Sequence, residues 1–383
     1  MRARLPVLSV LVIGTLLGVQ ACSSGSHKGG SGSSGQQPST TVPAPANVYS
    51  HDMAGMFAPQ VQQFVDTPRV YVPNSDSNTV SVIDPKTFTV IDKYVTGANP
   101  QHVAPAYDLK RLFVDNDEGN SLTPIDPATG KKAGPNIAVA DPYNMYFTPD
   151  GSKAIVVCEA LHRLDFRDPN TFTLIKSLAV PLPIDGIDHM DFSADGSYAI
   201  MSAEYSGDVV KVDVNTMQVL GSLKVGGSPV DVKLSPDGSV FYVANQQRDG
   251  VSVIDPNTMT ETMFIPTGYG AHGLYQSRDA TKLYVSDRGD PKRKLPGQGV
   301  TVIDFATNKV ISQWPFTGSP DMGGVSPDGT QLWLSGRYNS EVYVIDTTTG
   351  TLIHRIPVGP GPHGLDFFPQ PGRFSMGHTG IYR

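Results

Sequence analysis

From residue 69 onward, apolar and polar positions alternate in runs of five or six residues such as "VYVPN", "VSVID" and "FYVAN". The runs are rich in β-branched and aromatic residues and are bounded by Gly, Pro, Asn and Asp, a combination that predicts short β-strands joined by tight turns. The runs recur as a unit: strand, polar loop, a strand ending in Asp, a Pro/Thr turn, a further strand, then Gly and Pro. The strand ending in Asp occurs seven times, at 80–84, 122–126, 163–168, 209–213, 251–255, 300–304 and 342–346. Spacings stay near about 42 residues except before the sixth, where "GDPKRKLPGQG" lengthens a loop.

Four short antiparallel strands per unit, repeated at this period, predict an all-β fold, a seven-bladed β-propeller over residues 69–383. The pattern enters at a second strand at residue 69, while the missing first strand, "HGLDFF", comes only after the seventh unit. The C-terminus is therefore expected to supply the inner strand of the first blade and close the ring. The final "GRFSMGHTGIYR" reads as the start of one more second strand. The repeats "VYVPNSDSNTVSVIDPKTFTVID" and "VFYVANQQRDGVSVIDPNTMTE" resemble the YVTN-repeat family of secreted bacterial β-propellers. That resemblance implies the fold. It leaves the chemistry open, because the family includes surface and envelope proteins and borders on quinoprotein-like and haem-binding propellers. Units two and three diverge most, with "LTPID" and "LDFRD".

The first 68 residues follow a different pattern. Arg2 and Arg4 precede an uncharged apolar stretch, residues 5–19, that is too short for a membrane span of roughly 20 residues and is followed by Ala21-Cys22. Residues 1–21 are expected to be a signal peptide. Cys22 resembles the lipid-attachment cysteine of bacterial lipoproteins, although Gln20 departs from the small residue usual there. Residues 22–68 are expected to be a tether, Gly/Ser/Pro-rich through residue 47, because that composition buries too little apolar surface to offset chain entropy. Export and anchoring to the outer face of the cell membrane follow as expectations, with the membrane as one partner and the chain as a monomer. Without residues 1–21 the net charge is about −9, which argues against nucleic acid. Cys158 is then the only remaining thiol, so neither an intramolecular disulfide nor a cysteine cage is available.

Loops joining strands three to four and one to two are tight and uniform: "SPDG", "TPDG", "SADG", "DPKT", "DPNT". Those at the other end are variable and polar, including "NDEGNS", "AEYSGD", "NQQRDG" and "GRYNSE", and variable loops on a rigid scaffold are where binding usually sits. The inner strands start at this variable end. Their first pairs are Gln101-His102, Tyr143-Asn144, Asp188-His189, Val230-Asp231, His272-Gly273, Asp321-Met322 and His363-Gly364. Four of the nine histidines fall in these fourteen positions, where uniform scattering would put fewer than one.

Two readings of this enrichment stand side by side. In one, His and Asp at strand starts satisfy loop backbone groups at a wet channel mouth. In the other, His102, His189, His272 and His363 with Asp321 hold a transition metal such as zinc, copper or iron, while Tyr143, Asn144, Asp188 and Asp231 contact a ligand. Alternation along a strand predicts two histidine pairs, because His102 and His189 come second in their pairs and His272 and His363 first. Second-strand ends add Asp115, Glu204 and Asp287 to the ligand set, with His378 in "GHTG" a further candidate. Arg288 and Arg337 follow two of those ends and suit either structural ion pairs or an anionic ligand. Mouth residues are expected to carry little core packing.

No G-x-S-x-G elbow, Walker loop, zincin motif or C-x-x-C-H is present. The primary expectation is an envelope-anchored binding or scaffold protein that recognises a small ligand, a metal or a protein partner at its channel mouth. An enzyme of lactonase-like or metal- or cofactor-dependent redox type, with its site at the same mouth, is the alternative.

Overall fold

The computed structural model describes residues 48–49, 57–184, 186–378 and 383. Cys22, the expected signal peptide and most of the expected tether lie outside the described residues. Seven β-sheets form seven blades, each of four antiparallel strands except the second, whose outer strand is split into Lys131–Lys132 and Ile137–Ala138. Central strands are buried on both faces and read as nearly continuous apolar runs, as Phe241–Asn245 does in blade 5. The outermost strands keep one face in water, and Gln218–Lys224 in blade 4 alternates between exposed and half-buried positions along its whole length. Apolar clusters lie largely between neighbouring blades, with Val70, Val72 and Ile83 of blade 1 packing on Trp333, Val342 and Val344 of blade 7.

One end of the propeller is built from a repeated turn chemistry. In blade 5, Ser235 Oγ donates to Asp237 Oδ1 at 2.6 Å, and the same oxygen accepts from the backbone N–H of Ser239 at 3.0 Å. Gly238 takes the left-handed conformation at φ 75° that completes the turn. Equivalent bonds recur at Thr148–Asp150, Ser193–Asp195, Ser277–Asp279 and Ser326–Asp328.

The ring closes as the strand count predicts. Asp366–Phe368 pairs antiparallel with Arg69–Asn74, matching Arg69 to Phe368 and Tyr71 to Asp366, and the N–H of His363 donates to the Pro73 carbonyl at 3.0 Å. The residues after it do not form a second strand. They cross the tight-turn end, where Phe374 stacks on Tyr107 at 5.0 Å between ring centroids, and then rise inside the central channel. Ser375 Oγ donates to the Pro105 carbonyl at the foot of blade 2, the N–H of Phe147 donates to Met376, and Gly377 bridges Tyr146. Arg383 returns to the foot of blade 4, donating to the carbonyls of Phe192 and Ser193 and pairing with Asp191 at 2.9 Å. Tyr49 donates to the Leu234 carbonyl beside it.

Part of the expected tether also packs on the blades. Pro59–Phe64 forms a short 3-10 helix whose Val61 and Phe64 are buried against blades 1 and 2. Residues 59–64 and the C-terminal tail therefore both pack at the tight-turn end. No helix among the described residues is long and apolar enough to cross a membrane.

Candidate ligand site in the channel mouth

At the variable-loop end, the inner-strand starts surround a cavity of about 710 Å³ lined by residues from all seven blades or their connectors. Local register decides which side chains reach it. Pairing between inner and second strands slips between Pro100 and His102, Ile187 and Met190, Pro229 and Val232, Ala271 and Leu274, and Pro320 and Gly323. Such a bulge breaks the strict alternation of a strand and re-aims its side chains. First and second members of the pairs therefore both face the channel, and the two histidine pairs expected from alternation stand as two groups, His102 with His189 and His272 with His363, joined in one cluster by ring contact between His102 and His363. His102 is its centre, with ring centroids 5.1 Å from His189, 4.7 Å from His363 and 5.1 Å from His378.

The cluster has two tiers. In the upper tier, on the floor of the cavity, Asp321 is fully buried and serves three cations or potential cations. Arg288 Nη1 lies 3.0 Å and His272 Nδ1 2.9 Å from its Oδ1, and His363 Nε2 lies 3.5 Å from its Oδ2. Burial alone would raise the Asp321 carboxyl, but His272, Arg288 and His363 outweigh it and hold it well below the usual carboxylate range. Burial and then Arg288 push His272 down, which favours the neutral ring. With Nδ1–H donated to Asp321, the neutral ring presents an unprotonated Nε2. Arg288 is held on its other side by Gln246 Oε1 at 2.9 Å.

In the deeper tier, burial lowers His102 to about 3, and His189 and His378 also fall well below the ordinary imidazole value, burial again being the main cause. His102 Nδ1 lies 2.9 Å from the Tyr143 carbonyl, which can only accept, so its Nε2 carries the lone pair. The Asn144 amide spans the other two rings, 2.9 Å from His189 Nδ1 and 2.8 Å from His378 Nδ1. Two glycines make this density of rings possible. A Cβ on Gly364 would sit 2.0 Å from His102 Cδ2, and one on Gly377 would sit 2.3 Å from the Met145 carbonyl oxygen.

The cavity walls differ in sign. Asp117, Glu159 and Glu204 line the side formed by blades 2–4, and Arg288, Lys292 and Arg337 the side formed by blades 6 and 7, where the one acid, Asp290, is paired with Arg293 at 2.7 Å. Asp188 and Glu204 are both raised, chiefly by burial, and the acids of that wall raise Asp188 further. Tyr143 lies between the walls, half-buried, with its hydroxyl shifted up by burial and then by Asp188. Arg337 donates to Ser75 Oγ and the Gly361 carbonyl and forms no ion pair among the described residues.

Five expected ligand contacts, Asn144, Asp188, Asp231, Asp115 and Asp287, do not line the cavity. Asp287 is buried and clamps a loop, accepting from the N–H of Gly268 at 3.0 Å and from Thr301 Oγ1 at 2.7 Å, as Asn116 and Asn245 do in their blades with Gly97 and Ser228. Asp115 is one residue short of that clamp, fully buried opposite His102, with both carboxyl oxygens unpartnered among the described residues. Asp231 sits in the deeper tier, accepting from the N–H of Leu274 at 2.8 Å, and burial raises it to about 6. Met322 also joins the cluster, with Sδ 3.2 Å from His272 Nδ1. The second member of its inner-strand pair, it stood at a mouth position, but a thioether there carried no signal of its own.

Fold and site together define a seven-bladed β-propeller whose channel is closed at one end and lined with imidazoles at the other. The chain belongs to the YNCE-like β-propeller family, whose profile matches residues 46–370. It is 31% identical over 144 residues to the seven-bladed beta-propeller protein Rv1057 of Mycobacterium tuberculosis, covering 37% of this chain and 35% of that protein. It is 29% identical over 188 residues to antigen Lp49 of Leptospira interrogans, covering 43% of this chain and 39% of that one. The matches thus span well under half the length of these relatives. A solved structure of Kuenenia stuttgartiensis hydrazine synthase superimposes with a TM-score of 0.59 at 21% identity, over 68% of this chain and 87% of that one, which shows the shared fold.

Proposed function

We propose that this protein is exported, held at the outer face of the cell membrane by lipid on Cys22, and binds a small ligand in the cavity over its channel. The ligand carries an anionic group toward Arg337 and Arg288 and a cationic or hydrogen-bond-donating group toward Glu159 and Glu204. The observation that carries this reading is Arg337, a half-buried guanidinium lining the cavity with no acidic partner among the described residues, opposite a wall of raised carboxyls. Electrostatic complementarity of this kind selects a ligand with separated charges and orients it. Titration calorimetry with a panel of small zwitterions and anions tests it. A ligand found this way should bind at least about tenfold more weakly to Arg337→Ala, the loss expected for one charge-assisted contact of about 1.5–3 kcal/mol. Equal binding by Arg337→Ala and Glu204→Gln would refute the assignment.

A second reading rests on the Asp321–His272 pair. A carboxylate 2.9 Å from Nδ1 fixes the tautomer and leaves Nε2 as a general base, the arrangement a hydrolase uses to activate water. Turnover of a lactone or ester that Arg337 holds, abolished in His272→Ala with binding retained, would favour the enzyme.

A further inference from the structure

We propose that His102, His189 and His378 form a transition-metal site in the deeper tier of the channel, with the third ligand delivered by the chain's own C-terminal tail. One ring nitrogen from each of the three lies within 4.8 Å of the other two. A modest contraction closes that span to the roughly 3.3 Å nitrogen–nitrogen edges of a tetrahedral centre with bonds of about 2.0–2.1 Å. All three rings are at most 1% exposed, and Nε2 of each has no hydrogen-bond partner among the described residues. Buried polar atoms are nearly always satisfied, so three buried ring nitrogens without a hydrogen-bond partner in one cluster call for one.

The surrounding groups suit a cation. The Tyr143 carbonyl orients His102 from behind, as a backbone carbonyl commonly does for a metal-bound imidazole. The Asn144 amide bridges Nδ1 of His189 and Nδ1 of His378 at 2.9 and 2.8 Å and fixes the two rings relative to each other. Asp188 Oδ1 stands 3.2 Å from His189 Nε2 and Asp231 Oδ1 3.8 Å from His378 Nε2, distances at which either carboxylate compensates an added charge. Three imidazoles with nearby carboxylates favour zinc or copper over magnesium or calcium.

The upper triad His272–Asp321–His363 satisfies the same distance criterion, but Arg288 already occupies the Asp321 carboxylate at 3.0 Å and repels a second cation. The metal therefore belongs below and the ligand's anionic group above. The two sites are separate in their residues, and this inference does not rest on the ligand reading.

The tail gives the site its distinctive property. His378 comes from the segment that rises from the tight-turn end, not from a blade, so the ion would staple the tail inside the channel. The test uses untagged protein stripped with a chelator and titrated with Co²⁺ and Zn²⁺, reading the ligand-field absorption of cobalt and the zinc stoichiometry. One equivalent should bind. Removing an orienting group typically costs 10–100-fold in affinity, so losing a ligand in His102→Ala, His189→Ala or His378→Ala should cost at least about 100-fold. His272→Ala should change affinity by no more than a few-fold. A chain ending at Gly372 keeps the closing strand and should lose the metal while its blades still melt cooperatively. Zinc should also slow carboxypeptidase trimming of the wild-type tail and have no such effect on His378→Ala. Failure of the wild type to bind either ion, or equal binding by His378→Ala and the shortened chain, would overturn the proposal.

Discussion

Two C-terminal truncations separate the closing strand from the channel plug, and their costs follow from burial. Ending the chain at Gly361 removes Leu365, Phe367 and Phe368, which are 0%, 4% and 2% exposed, together with Met376 of the plug at 1%. Four buried side chains at about 1.5–3 kcal/mol each amount to roughly 6–12 kcal/mol, comparable with the whole stability of about 5–15 kcal/mol of a typical domain. The cut also leaves the inner edge of Arg69–Asn74 unpaired, a template for aggregation. Ending the chain at Gly372 instead removes, among the described residues, Met376 and the half-buried Phe374 from the apolar interior, about 2–4 kcal/mol. At roughly 2 °C per kcal/mol for a domain of this size, the second chain should melt about 4–8 °C below the full protein. Circular dichroism melts and size-exclusion profiles distinguish the two. The shorter chain should be recovered as aggregate, and the longer one as a folded monomer. Full retention of melting temperature after the Gly361 cut would refute closure by residues 363–368. Equal collapse of both would show that the plug, not the strand, holds the ring.

Other consequences are as specific. Asp321→Ala should destabilise by about 3–5 kcal/mol, since it strands a buried Arg288, contrary to the expectation that mouth residues carry little structural weight; thermal melts check this, and Asp321→Asn should recover part of the loss. Asp115 is pushed well above the usual carboxylate range by burial, so the folded state holds its proton after the unfolded chain has released it near pH 4. Its contribution to stability therefore falls as pH rises above about 4, and Asp115→Asn should raise the melting temperature at pH 7 while changing little at pH 3. Cys22→Ala should shift the protein from the membrane fraction to the soluble fraction, and unchanged fractionation and migration would contradict anchoring at that residue.

The blades were legible because each is specified locally. Period-two alternation, an Asp-Gly or Asp-Pro turn and a recurring length suffice without knowledge of the rest of the chain. Closure was legible from a count, since one inner strand was missing at the start and present at the end. The site was legible only in part. The separation of His102 and His189 from His272 and His363 followed from alternation and is kept in the two tiers, whereas the ring contact between His102 and His363 and the bulges at the inner-strand starts depend on three-dimensional pairing that no local pattern reports. Asp115 and Asp287 were placed at the mouth for a related reason: the strand ends were located to within a residue, and one residue turns a side chain from the channel into the blade. The path of the tail was hidden altogether. "SMGHTG" reads as strand or turn, and only the vacant axis of a closed ring explains why Ser375, Met376 and Gly377 find backbone partners there. Residues 57–68, read as tether, dock because Val61 and Phe64 meet an apolar seam between blades 1 and 2 that exists only after folding.

The central claim is that the cavity at the variable-loop end holds a small molecule through Arg337. Native mass spectrometry of untagged protein purified from its native source tests it most directly. The prediction is a bound species of small-molecule mass that survives gentle ionisation, falls at least about tenfold in occupancy in Arg337→Ala, and persists in His378→Ala, whose lesion lies below the cavity. A wild-type spectrum with the protein alone, or a bound species equally abundant in Arg337→Ala, would contradict it.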